Sequence, residues 1–346
     1  MLRGDATELL VAKPDGFAGS VFDLVAGTVI VDLSGYGVRL CAVSAAPESR
    51  RAVRQRWQVA DIFDALVIGG GPAGAQCALW LRKLGVRSTL IEPIRIGGLQ
   101  ARSPYTNSWL SVVQATTAAH SVARNIENNL IAQDCSIQRA ECLNVSQRAR
   151  DGLFEVRTNE GLQLCRHVVL ATGTRERTGG LATLRDTAVG LVGVFHAESA
   201  GRRVAILGGG DAAGEAYDIV QSKGASDIRV FARTVRARGP LWSKIPPDRI
   251  HSGGYEVSEG QVVAADQRFD CDLMVICYGW TPVLPDLGFT LQKDAIGHVT
   301  VDAAMETSLP GCFAIGDLND RPYPCVTTAL SDGVFAAKAI EARVQA

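Results

Sequence analysis

One stretch of this chain occurs twice. DALVIGGGPAGAQCALWLRKLGVRSTLIE, residues 64–92, and RRVAILGGGDAAGEAYDIVQSKGASDIRVFAR, residues 202–233, each read as apolar strand, GxGxx(G/A) turn, helix and second strand at matching offsets. A repeated unit of this kind restricts the fold class to α/β, because strand, turn, helix and strand in that order feed a parallel sheet with helices packed on it. At 346 residues the chain has room for two such domains.

In the first unit Gly69, Gly71 and Gly74 hold the three fingerprint positions, with Pro72 and Ala73 opening the helix between them. The first glycine makes a tight turn, the second lets the backbone approach a pyrophosphate, and the third lets helix and strand pack closely. The pyrophosphate is expected on the helix N-terminus, where unpaired N–H groups and the dipole favour negative charge. Glu92 ends the second strand, 18 residues after Gly74, where a carboxylate accepts hydrogen bonds from an adenosine ribose. The second unit uses Gly208, Gly210 and Ala213, with Asp211 at the start of its helix. Where an acid would follow its second strand the chain reads VFARTVRAR, which supplies Arg233, Arg236 and Arg238. Guanidinium groups there suit a 2′-phosphate, so the second site is expected to prefer NADPH over NADH.

Composition narrows the partners. With 35 basic and 36 acidic residues the formal charge is −1, which gives no electrostatic reason to expect nucleic acid or an anionic membrane. No apolar run approaches the roughly 18–20 residues of a bilayer span, and the N-terminus has no secretory h-region, so the cytoplasm is the expected compartment. Nine cysteines (41, 77, 135, 142, 165, 271, 277, 312 and 325) include no CxxC and no zinc-like cluster, so no metal site is expected. In a reducing compartment they read as small buried apolar residues. Residues 1–60 form a short N-terminal extension of unknown role. There TVIVDL and VRLCAV around SGYG suggest a hairpin, and PESRRAVRQRWQ a basic helix.

Two more segments sharpen the reading. HVVLATGT, residues 167–174, is a buried strand ending in a small-residue turn at Ala171, Thr172 and Gly173, and GCFAIGDL, residues 311–318, is another ending in Gly316 and Asp317. With GGGPAG, Glu92, GGGDAAGEA and the terminal run DRPYPCVTTALSDGVFAAKAIEA, the chain from about residue 61 onward resembles the thioredoxin-reductase-like branch of the FAD-dependent pyridine nucleotide-disulfide oxidoreductases. The resemblance implies two Rossmann-like domains, one for FAD and one for NAD(P)H, the second inserted into the first. The expected boundaries are 61–176 and 282–346 for the FAD domain and 177–281 for the nucleotide domain. It further implies that Gly69, Gly71, Gly74 and Glu92 hold the FAD adenosine and pyrophosphate, and that Asp317 binds its ribityl and pyrophosphate portion. GGLQARSPYTNSWL matches the family's GGQ...N segment with the register off by about one residue, which makes Asn107 a candidate flavin contact. A homodimer is a further implication.

The chain also departs from that family. Thioredoxin reductases carry Cys-x-x-Cys just before the second glycine fingerprint, whereas here the stretch is GVFHAESAGRRVAILGGG. Ordinary dithiol exchange needs one thiolate to attack and a second to resolve. The usual Arg-Gln pair after the terminal tyrosine is replaced by Pro324 and Cys325. Cys325 reads first as a buried space-filling residue and, alternatively, as a one-cysteine redox centre; His196 reads as structural or as a proton donor near the flavin. The leading expectation is an NADPH-dependent FAD enzyme passing electrons directly to an external acceptor, either a small redox protein of the ferredoxin or flavodoxin type or a small molecule. The alternatives are a disulfide reductase acting without CxxC and a flavin-binding redox sensor without turnover.

Overall fold

The computed structural model describes residues 62–104, 106–107 and 117–346, together with two short strands, Phe22–Val25 and Thr28–Ile30. Those two strands pair antiparallel and belong to a unit of residues 1–61, separate from the unit 62–346. TVI is thus a strand, but its partner lies upstream of it; VRLCAV and PESRRAVRQRWQ fall outside the described residues.

Within residues 62–346 the strand β1 (Ile62–Ile68) is central to an eight-stranded sheet. It runs parallel to β2 (Ser88–Ile91) on one side and to a strand at Gly161–Leu170 on the other. Ala65, Leu66 and Val67 are fully buried, as expected of a parallel strand covered on both faces. Between β1 and β2 lies helix α1 (Pro72–Lys83), which Pro72 opens with its preset φ. It stops at Gly85 (φ 74°), where Val86 N–H reaches back to the Leu81 carbonyl (3.0 Å) and Arg82 and Lys83 face the negative end of the dipole. Leu81 is fully buried beneath it, worth about 1.5–3 kcal/mol relative to exposure.

The sheet is completed by an antiparallel meander, Cys142–Gln147, Phe154–Thr158 and Gly161–Leu170, and by strands from the end of the chain. Cys312–Ala314 pairs parallel with Gly161–Leu170, and Asp286–Leu287 pairs with Cys142–Gln147. The chain therefore leaves this sheet after residue 170 and returns to it near residue 286. In between, five parallel strands form a second sheet in the order Thr187–Val189, Leu273–Ile276, Arg203–Leu207, Asp227–Ala232, Ile250–Ser252. Its helix α4 (Asp211–Ser222), which follows α2 (Ala119–Ala132) and α3 (Gly190–His196) in the chain, ends as α1 does: Gly224 has φ 81° and Ala225 N–H reaches the Val220 carbonyl (3.1 Å). The outgoing and returning segments, Thr174–Glu176 and Trp280–Pro282, pair with each other antiparallel. Among the described residues no helix is long and apolar enough to cross a membrane.

Candidate functional site

The two glycine turns share one steric pattern. At Gly69 (φ 108°) a Cβ would collide with the Ala171 carbonyl, and at Gly74 it would collide with the carbonyl of Gly69, whereas at Gly71 it would meet nothing within 4 Å. In the second turn, Gly208 (φ 144°) is pressed against the Cys277 carbonyl, Gly210 is open, and Ala213 at the third position is fully buried. The outer positions are therefore packing positions and the middle one faces free space, as close approach of a pyrophosphate requires. Neither following helix has a side-chain cap, which leaves its first N–H groups available to an anion.

Several expected residues gather on the first turn. Ala171, Thr172 and Gly173 follow the strand beside it, and the Thr172 hydroxyl donates to the Val283 carbonyl on the returning segment. Gly97 donates to the Gly70 carbonyl (2.8 Å), which brings GGLQ onto the same turn. Asn107 lies in a two-residue strand paired with residues 117–118, and its side chain is outside the described residues. The carboxylate of Glu92 braces the turn, Oε2 accepting from Gly70 N–H (2.8 Å) and Oε1 from the N–H of Ile94 (2.9 Å) and Arg95 (3.3 Å). A carboxylate has about four lone-pair sites, so capacity is left for a ribose hydroxyl.

Asp317 arrives from the far end of the sequence. Strand Cys312–Ala314 delivers it into a helical turn, Gly316–Leu318, and a Cβ on Gly316 would stand 2.9 Å from that of Ala73. The Gly-Asp turn therefore rests on the start of α1. Burial raises the Asp317 pKa, Arg321 lowers it and Asp332 raises it, with a net upward shift. Its Oδ1 is buried without a hydrogen-bond partner. An open cradle at Gly71, an uncapped helix and the exposed outer part of the Asp317 carboxylate fit a flavin dinucleotide, whose pyrophosphate suits the free N–H groups and whose hydroxyls suit the acid.

At the second turn the arginines differ in their engagement. The guanidinium of Arg233 lies over the ring of Tyr255, 5.4 Å from its centroid. Arg238 instead pairs with Asp211, through its backbone N–H (2.8 Å) and its Nε (2.7 Å), so two residues expected to contact the nucleotide contact each other. Arg236 donates its N–H to the Gly209 carbonyl (2.6 Å).

One expectation needs correction. Cys325 is not buried: it is exposed at the N-cap of helix α5 (Val326–Val344), because Tyr323 and Pro324 carry the chain over the surface before the helix starts. Partial burial raises the Cys325 pKa, but hydrogen bonds from the Thr328 side chain and from the N–H groups of residues 328 and 327, helped by Arg321, leave it below the ordinary thiol value. His196 lies away from the second glycine turn. It ends helix α3 (Gly190–His196), where Lys223 donates to the carbonyls of Phe195 and Ala197. Lys223 follows the last residue of helix Asp211–Ser222, so His196 sits about 18 Å along that helix from the glycine turn that starts it.

Sequence reasoning misses Asp332 and Arg321, which surround Asp317. Asp332 lies on α5, its side chain 5% exposed, and accepts from Gly316 N–H (2.9 Å), Asn319 Nδ2 (3.1 Å) and Arg321 Nε (2.6 Å). The one available signal is the acid preceding Gly333 in an otherwise small and apolar stretch of helix. A Cβ on Gly333 would stand 2.5 Å from the Ala73 carbonyl, so α5 and α1 touch there and the neighbouring residue is forced inside.

Known proteins are similar to this chain in sequence and fold. A component of the alkyl hydroperoxide reductase of Pseudomonas aeruginosa is 30% identical over 302 residues, 80% of this chain and 57% of that protein. The ferredoxin--NADP reductase of Lactococcus lactis subsp. cremoris is 23% identical, over 82% of this chain and 95% of that protein. The chain thus spans little more than half the length of the first relative and nearly all of the second. The crystal structure of T. acidophilum thioredoxin reductase superposes with a TM-score of 0.69 at 20% identity, covering 82% of this chain and 99% of that one. The family model for pyridine nucleotide-disulphide oxidoreductases matches residues 63–245 and 246–333. With two glycine turns of equivalent geometry and a Gly-Asp turn resting on the first, the chain belongs to the pyridine nucleotide-disulphide oxidoreductase family, enzymes that use FAD and NAD(P)H.

Proposed function

We propose that this enzyme takes hydride from NADPH and passes the electrons from its flavin directly to an external acceptor, a small redox protein or a small molecule, without a protein dithiol. The observation that carries this reading is the stretch before the second glycine turn. Where thioredoxin reductases carry their cysteine pair, helix α3 reads GLVGVFH and no thiol is present. Elsewhere five of the eight described cysteines are buried; burial pushes the pKa of Cys277 and Cys312 up to about 12 and raises those of Cys77 and Cys165 well above the ordinary thiol value. Such thiols neither attack nor resolve a disulfide at neutral pH.

When bound, the FAD supplies a ring that accepts hydride from a nicotinamide and gives up electrons to an acceptor. On this reading Gly71 and the N-terminus of α1 hold the pyrophosphate, Glu92 the adenosine ribose and Asp317 the ribityl side. Gly210 and the N-terminus of its helix hold the nicotinamide dinucleotide, with Arg233 on the 2′-phosphate. The chain's part in catalysis is alignment and exclusion of water. The working unit is taken to be a cytoplasmic homodimer, with the FAD domain at 61–176 and 282–346 and the NADPH domain at 177–281. A ferredoxin--NADP reductase among the relatives supports direct transfer to a protein acceptor.

Anaerobic mixing of the FAD-loaded protein with NADPH, and separately with NADH, while following flavin absorbance tests the reading. Rapid bleaching by NADPH and slow bleaching by NADH is the expected result. No bleaching with either nucleotide overturns it. The exposed Cys325 favours one second reading, a disulfide reductase acting through a single thiol.

A further inference from the structure

Three of the buried polar atoms without a hydrogen-bond partner belong to two neighbouring side chains: Asp317 Oδ1 and the two terminal nitrogens of Arg321. Arg321 Nη2 stands 3.8 Å from Asp317 Oδ1, close enough for charge attraction and too far for a hydrogen bond. The rest of the guanidinium is fixed. Its Nε is bonded to Asp332 (2.6 Å), which also accepts from Gly316 N–H and Asn319 Nδ2, and the Arg321 side chain is only 12% exposed. Asp317 is different: its side chain is 38% exposed although Oδ1 is buried, so its exposure falls on the outer part of the group.

The cluster therefore has a direction. Asp332 on α5 grips both the backbone of the Gly-Asp turn and the arginine, and the arginine faces the inner oxygen of Asp317. The outer side of Asp317 is left exposed, on a turn that rests through Gly316 on Ala73 at the start of α1. Two carboxylates this close, beside the place proposed for a pyrophosphate, repel each other and the phosphates unless a cation stands between them. Arg321 stands there, and its planar fork serves Asp332 with one nitrogen while offering others to Asp317, which a lysine ammonium at that distance does not do.

We infer that Arg321, braced by Asp332, is a positioning residue for the cofactor: it holds the inner oxygen of Asp317 so that the outer oxygen is presented to the hydroxyls of the flavin dinucleotide. This rests on the assignment of Asp317 to FAD under the proposed function. Removing the arginine outright leaves Asp332 buried without its counter-ion and risks loss of the fold, so the decisive variant is Arg321→Lys, which keeps the charge and loses the fork.

The experiment is a double-mutant cycle on FAD affinity, read by quenching of flavin fluorescence as apoprotein is added, with the melting temperature of each apoprotein measured alongside. Arg321→Lys is expected to weaken FAD binding at least tenfold in the native background and less than twofold in the Asp317→Asn background, because the arginine acts through that carboxylate. A loss of the same size in both backgrounds, or of less than twofold in the native one, overturns the inference. The variant Arg321→Gln with Asp332→Asn, which neutralises the pair together, is expected to follow the same pattern. Should Asp317→Asn alone leave FAD affinity unchanged, the assignment of Asp317 falls and this inference falls with it, an outcome distinct from equal losses in the two backgrounds.

Discussion

The guanidinium of Arg233 lies over the Tyr255 ring, and the Tyr255 hydroxyl is hydrogen-bonded to that of Tyr278 at 3.2 Å. Tyr278 follows Cys277, whose carbonyl is pressed against Gly208 of the second glycine turn, so the two rings lead from the arginine to the residue beside that turn. Arg233→Ala is expected to cost 2′,5′-ADP at least about tenfold in affinity, the size of one or more charge-assisted hydrogen bonds, while leaving 5′-AMP within about twofold. Tyr255→Leu should give part of that loss and Tyr255→Phe little of it, since the ring face and not the hydroxyl supports the cation. Calorimetric titration with the two nucleotides checks this, and equal losses for both would remove Arg233 from the 2′-phosphate.

Much of this architecture is legible in the sequence because it is local. Strand, glycine turn and helix 64–92 and 202–233 are written in adjacent residues, and the carbonyl that excludes a Cβ at Gly74 is that of Gly69 in the same turn. What eludes sequence reading depends on which distant surfaces meet. Asp332 is one more helix acid until α5 is laid on α1, and Arg321 is a loop cation until Asp332 grips it. Cys325 misleads for the same reason: next to a tyrosine and a proline it reads as core, but those residues lead into an exposed helix start. Arg238 and Asp211 are each plausible nucleotide contacts, and only the folded loop shows that they neutralise one another.

The first glycine turn separates folding from binding. Gly74→Ala forces a Cβ into the Gly69 carbonyl and is expected to destabilise the protein by roughly 3 kcal/mol or more, the upper range for overpacking, with FAD binding lost alongside. Gly71 has φ −65° and empty space where its Cβ would go, so Gly71→Ala should fold with a melting temperature only a few degrees from wild type. Its FAD affinity should nonetheless fall by about tenfold or more, because the methyl group occupies the approach of the pyrophosphate. Thermal melts of the apoproteins with fluorescence titration of FAD distinguish the two effects; a Gly71→Ala protein with native affinity would place the pyrophosphate elsewhere.

An acid-dependent contribution to stability is built into the start of two inner strands of the second sheet. Asp272 accepts from the Arg203 side chain (2.8 and 3.1 Å) and from Arg203 N–H (2.9 Å), and these bonds hold its pKa well below the ordinary carboxylate value. A folded-state pKa below the unfolded one stabilises above the unfolded value, about 3.9 for an aspartate, and the effect is lost as pH falls through the folded value. Asp272→Asn should therefore lower the melting temperature at pH 7, and its difference from wild type should shrink steadily below about pH 4. A difference independent of pH would assign the effect to packing rather than to the charge.

Cys325 offers the sharpest division between the two readings of the reaction. Its thiol is exposed, lies 3.2 Å from the Thr328 hydroxyl and has a lowered pKa, whereas the other described cysteines with resolved shifts are all raised by burial. Iodoacetamide should therefore label Cys325 first among the described cysteines, with a rate that rises at lower pH than for a free thiol, because the thiolate is the reactive form. Thr328→Val removes a hydrogen bond to the sulfur and should move that profile back toward the ordinary thiol value. If electrons leave the flavin directly, Cys325→Ser changes the steady-state rate with a small-molecule acceptor by less than about twofold. If the thiol is instead the exit, the same substitution abolishes turnover with a disulfide while leaving bleaching by NADPH intact, since attack on a disulfide sulfur requires the thiolate and hydride transfer does not.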